Sequence, residues 1–240
     1  MDGSGTLYEP FTQSWAQRSA LCVVRYRPDL ALQYADLIDL AERDLPATGE
    51  LVLLGESFSG PVAIALAERL PHRVIGLVLC CSFCRSPHPH LSSLPLSLLP
   101  MLKTPASWIA RWVLGRYANS ALTGAIAAAL KPLSAATLRA RLRAVLTVDK
   151  RQALAQLQLP LLYLQASSDR LVPDRAAAEV SVHAKRARTE VIEGAHFLLQ
   201  TSAHAAAESI AAFIEQLCDH SDQVDDAVAT ESSSIRGGDV

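Results

Sequence analysis

Leu7, Phe11 and Trp15 recur every four residues, which puts one apolar stripe on a short helix, and the β-rich residues 21–26 behind it read as a strand. Tyr34, Leu37, Ile38, Ala41 and Leu45 then follow the spacing of an amphipathic helix, closed by Pro46 and Gly49. Residues 51–54 form an unbroken apolar run, the mark of a strand covered on both faces. A helix apolar nearly all round, 61–70, and a second buried-type run, Val74–Cys80, complete a β-α-β unit. Two more such runs, 161–166 and 189–192, come late, separated by a helical pattern over 175–185 and followed by another over 203–217.

Parallel strands need right-handed crossovers, so this alternation predicts an α/β fold: a mostly parallel sheet with helices on both faces. Residues 83–157 break the alternation with no strand-like run and read as an inserted helical cap. Thr104 as N-cap before Pro105 opens its first helix, with Trp108 and Trp112 on one face; residues 120–131 form the second; Ser134 caps a third carrying Leu138, Leu142 and Leu146. The expected divisions are 1–82 and 158–217 for the core, 83–157 for the cap and 218–240 for a tail. The tail is rich in Asp and Ser without apolar period, and is expected to be disordered.

Composition narrows the picture. Half of the 240 residues are hydrophobic and Gly and Pro make up about a tenth, as in a globular chain. A net charge of -2 without a basic field argues against nucleic acid as a partner. The most apolar stretch, 91–102, is broken by Pro95 and Pro100 and is shorter than the roughly 20 residues of a membrane span, so no transmembrane segment is expected. The first residues show no secretory pattern and the five cysteines are an odd count, both of which fit a cytoplasmic protein with reduced thiols.

The chemistry concentrates at Gly55-Glu56-Ser57-Phe58-Ser59-Gly60, between an apolar strand and a helix. This stretch resembles a nucleophile elbow, where small residues two positions either side of the serine let strand and helix approach, here Gly55 and Ser59. A serine hydroxyl needs a base and a carboxylate to orient that base. Asp169 follows the strand at 161–166 and His196 follows the strand around Val191, so both fall at strand ends, in the order Ser, Asp, His. Of the other histidines, His183 and His204 lie in helical patterns, His72 precedes a strand, His88 and His90 sit in a Pro-rich linker and His220 is in the tail. In a parallel sheet the carboxyl ends share one edge, where such loops converge.

On these residues the chain, from about 2 to 217, is similar to the α/β-hydrolase superfamily, in particular its small esterase-like or lipase-like members with a helical cap. The resemblance implies cleavage of a small-molecule ester or thioester through an acyl-enzyme, with Ser57 as nucleophile, His196 as base, Asp169 as acid and no cofactor. Acyl transfer to an alcohol or carbon-carbon hydrolysis could run on the same three residues, and a non-catalytic remnant is the alternative from another class. The Phe58 N–H is the expected first oxyanion donor. Asp2-Gly3-Ser4-Gly5-Thr6 resembles the loop that supplies the second, but the family's preceding strands are not in this sequence, which puts Met1 at the donor position. A lost donor costs on the order of 3 kcal/mol. Ser82, Trp108 and Trp112 are the candidate substrate-pocket residues. Cys81 and Cys84 with His88 and His90 could be half of a zinc site, but no second ligand pair with metal spacing appears, and thiols packed at the end of a buried strand are the preferred reading.

Overall fold

A computed structural model describes residues 3–92 and 104–234, with side chains to residue 219. In chain order its elements are α1 (Glu9–Trp15), α2 (Tyr34–Asp44), β1 (Leu51–Glu56), α3 (Gly60–Arg69), β2 (Val74–Cys80), α4 (Ala106–Leu114), α5 (Ser120–Leu130), α6 (Ala135–Thr147), α7 (Arg151–Gln156), β3 (Leu161–Ser168), α8 (Arg175–His183), β4 (Ala187–Ala195), α9 (Leu198–Thr201) and α10 (Ala203–Ser234). The strands form one sheet in the order β1-β2-β3-β4. Every pairing is parallel, with Leu54 opposite Val78, Leu79 opposite Tyr163 and Tyr163 opposite Thr189. The carboxyl ends of all four strands therefore lie along a single edge, as the alternating pattern predicts.

Alternation along β2 and β3 explains why both sheet faces are covered. Leu77, Leu79, Leu161 and Tyr163 pack with Leu37, Ile38, Ile64, Leu66 and Val180 of α2, α3 and α8. Val78, Cys80, Leu162 and Leu164 face the other way, against Phe11 and Trp15 of α1 and Ile210 and Phe213 of α10. Each such buried leucine or phenylalanine contributes about 1.5–3 kcal/mol of transfer free energy. A third cluster joins Ala110 and Leu114 of α4 and Ile126 and Ala129 of α5 to Leu7 and to Ala195 at the end of β4.

Helix ends follow local chemistry. Gln33 and Asp36 make a reciprocal capping box on α2, Asn119 accepts the N–H of Leu122 at α5, and Ser134 accepts that of Thr137 at α6. Helix α4 starts at Ala106 with Pro105 as its N-cap, one residue later than the Thr104 cap predicts. Among the described residues, α7 is a fourth α-helix between β2 and β3, where the sequence suggests three.

Two expectations need correction. Residues 21–26 form no strand: among the described residues they join no ladder, Leu21 is 44% exposed, and the N–H of Tyr26 donates to Gly3 O at 2.7 Å. A β-rich run becomes a strand only beside another strand. Here a groove of about 800 Å³, lined by Leu21, Val23, Trp15, Val52 and Leu54, separates it from β1, which is an edge of the sheet. The second is the tail, where α10 runs on as helix to Ser234, beyond residue 217. Propagating a helix already anchored in the core costs far less than nucleating one, so residues without apolar period can continue it. No single helix among the described residues is long and apolar enough to cross a membrane.

Candidate active site

The turn after β1 carries Ser57 with φ at 51°, in the left-handed region that L-residues rarely adopt. Strand and helix come close enough here that a Cβ on Gly55 would lie 2.7 Å from Gly60 Cα, and one on Gly60 would overlap the Ser82 hydroxyl. The second tight position is thus Gly60, and Ser59 has room for its side chain. Ser57–Ser59 form a single 3-10 turn that leads into α3, so their amides belong to a helix start whose N–H groups lack intrahelical partners.

Three buried side chains brace this turn from other elements. Ser82 Oγ donates to Ser57 O at 2.7 Å, Tyr163 Oη donates to Ser82 O at 2.7 Å, and Tyr34 Oη donates to Phe58 O at 2.9 Å while its ring stacks on that of Phe58. Burial holds both phenols well above their ordinary pKa, so they remain donors.

His196 follows β4 and Asp169 follows β3. The Ser57 hydroxyl is 2.7 Å from His196 Nε2, and His196 Nδ1 is 2.8 Å from Asp169 Oδ2. A carboxylate can only accept, so Nδ1 carries the proton and Nε2 is free to accept from Ser57. Asp169 Oδ1 also accepts the N–H groups of Leu171 and Val172, both at 2.8 Å, which fixes the carboxylate before the imidazole meets it. His196 is 3% exposed. The structure thus brings Ser57, Asp169 and His196 into one hydrogen-bonded chain.

The other candidates fare differently. Phe58 is buried directly after Ser57, while Met1 lies outside the described residues. Ser82 is fully buried, and its hydroxyl is engaged in holding the turn. Trp108 and Trp112 are 72% and 53% exposed and line, with Arg111 and Gly115, an open hollow that includes none of the three chain members. Their shared helix face points outward, since Ala110, Val113 and Leu114 supply the buried side of α4. Cys80, Cys81 and Cys84 are buried with thiols pushed up in pKa, and among the described residues no three His, Cys, Asp or Glu side chains are grouped to hold a metal.

Sequence reasoning passed over Glu56. Its Oε1 accepts the N–H of Leu199 and its Oε2 accepts Gln200 Nε2, each at 3.2 Å, and burial raises its pKa. The available signal was a single charge in an otherwise apolar strand.

Comparison with known proteins bears on the family and the fold. The sequence profile of the family described as serine aminopeptidase, S33, matches residues 25–200. No curated protein matches the chain by sequence. Among solved structures, a hydrolase from Oleispira antarctica superposes with a TM-score of 0.72 at 16% identity, covering 90% of this chain and 88% of its own. The enol-lactonase of Burkholderia xenovorans LB400 gives 0.71 at 15%, covering 89% and 88%. An esterase from Exiguobacterium antarcticum gives 0.70 at 16%, also covering 89% and 88%. At these identities the likeness establishes a shared fold.

Proposed function

Because the chain belongs to the serine aminopeptidase S33 family of α/β-fold hydrolases, we propose that it cleaves an ester or thioester of a small molecule with Ser57, His196 and Asp169, through an acyl-enzyme. The observation that carries this reading is the continuous path from hydroxyl to imidazole to carboxylate, with contacts of 2.7 and 2.8 Å. An esterase and an enol-lactonase among the structural neighbours point to the same class of carbonyl.

In this mechanism His196 Nε2 takes the Ser57 proton as Oγ attacks the carbonyl carbon. The Phe58 N–H, in the 3-10 turn that leads into α3, donates to the oxygen that becomes negative. Asp169 faces the imidazolium across the Nδ1 hydrogen bond. Collapse of the tetrahedral species expels the leaving group, which takes its proton from His196, and water repeats the sequence to release the acid. In this reading α4 and α5, which pack on Leu7 and on Ala195 at the end of β4, belong to a cap that shapes access for the substrate.

A fluorophosphonate probe is expected to label Ser57, and Ser57→Ala to abolish both labelling and turnover of a short activated ester. Intact-mass and peptide mass spectrometry read the adduct, and a folded protein that stays unlabelled sinks the proposal.

A further inference from the structure

Glu56 is the one buried carboxylate beside the nucleophile that the mechanism leaves without a task. It is 8% exposed and ends a strand that otherwise presents Leu51, Val52, Leu53, Leu54 and Gly55. A buried carboxyl is costly unless its oxygens are hydrogen-bonded, and here each accepts one donor: Leu199 N–H and Gln200 Nε2. Both donors belong to α9, the turn directly after His196.

Apart from the ring's own contacts with Ser57 and Asp169, Gly194 N–H donates to Ser167 Oγ on β3, and the remaining bonds are local to the turn. Thr201 Oγ1 donates to Phe197 O and accepts the N–H of Ala195, and Ser202 Oγ donates to Glu193 O. They set the shape of the turn but not its place relative to β1. Glu56 supplies the link to β1, since its backbone is bonded directly to Ser57 and its carboxylate is hydrogen-bonded to the turn that presents the imidazole.

We propose that Glu56 is a positioning residue, anchoring the Leu198–Thr201 turn to the end of β1 and so holding His196 Nε2 within reach of the Ser57 hydroxyl. This rests on the Ser57, His196 and Asp169 reading. The neutral isostere separates anchoring from charge. Gln at 56 keeps an oxygen for the Leu199 N–H, and its amide N–H can meet Gln200 Oε1, which is buried and unpartnered among the described residues.

The test compares Glu56→Ala, Glu56→Gln and the parent by steady-state kinetics on an activated ester and by the low-field NMR proton of His196 Nδ1–H in 15N-histidine-labelled protein. Glu56→Ala is expected to lower kcat by roughly ten- to a hundredfold with KM nearly unchanged, the size of loss that small misplacements of a reacting group produce. Its low-field proton should broaden or vanish, and Glu56→Gln should recover most of both. Parental kcat and signal in Glu56→Ala overturn the proposal, as does equal impairment of the two variants, which would assign the effect to charge. If the parent itself is neither labelled nor active, the hydrolase reading fails, yet the NMR signal still decides the anchor: its loss in Glu56→Ala supports it and its persistence refutes it. Should Glu56→Ala not fold, Gln200→Met removes one of the two bonds without touching β1, and is expected to give a smaller loss of kcat and a shifted proton; no change in either overturns the anchor.

Discussion

At the residue scale, Ser57 holds a backbone conformation that its Cβ opposes, at a cost of roughly 1–2 kcal/mol for an L-residue. Alanine ordinarily outranks glycine in stability, but here the order should invert. Ser57→Gly and Ser57→Ala both delete the hydroxyl, and the glycine variant is expected to be the more stable by about 1 kcal/mol, read from urea unfolding. An alanine variant at least as stable would show that the turn relaxes without its serine. That Ser57, Asp169 and His196 come together was legible in sequence because each sits just past an apolar run, and a parallel sheet brings such ends together. Ser82, Tyr34, Tyr163 and Glu56 were not, since their contacts join elements far apart in the chain. Ser82 reaches back 25 residues to the Ser57 carbonyl, and Glu56 reaches forward 143 to Leu199.

At the scale of elements, unbroken apolar runs announce themselves, and β1, β2 and β3 were readable for that reason, although only β2 and β3 are covered on both faces while β1 is an edge with Val52 and Leu54 along a groove. Residues 21–26 carry the same propensity without a neighbouring strand, and propensity alone does not make a ladder. The extension of α10 to Ser234 is the opposite case, in which a helix anchored in the core carries weak sequence along. At α5 and α6, the Asn119 and Ser134 side chains each satisfy one amide at a helix start, at 2.8 and 3.0 Å. Asn119→Ala and Ser134→Ala are each expected to lower stability by about 1 kcal/mol, measured by thermal unfolding, with the Ser57 labelling rate unchanged. A matching fall in labelling would mean that these helices shape the site itself.

At the scale of the whole molecule, the hydroxyl and imidazole come from positions 139 residues apart, and the imidazole and carboxylate from positions 27 apart. Every strand pairing is a crossover, so the contacts that assemble the sheet are distant in sequence, and such topologies form slowly. Labelling of Ser57 and far-UV circular dichroism should therefore be lost over the same range of urea in an equilibrium titration. Labelling that disappears at lower urea would reveal separate opening of the His196 turn. Because all four strands finish at a single edge, the hydroxyl, imidazole and carboxylate can meet only once the pairings on both sides of β3 are in place, so on the proposed mechanism a chain with an unpaired sheet would hold no more than an ordinary alcohol at position 57.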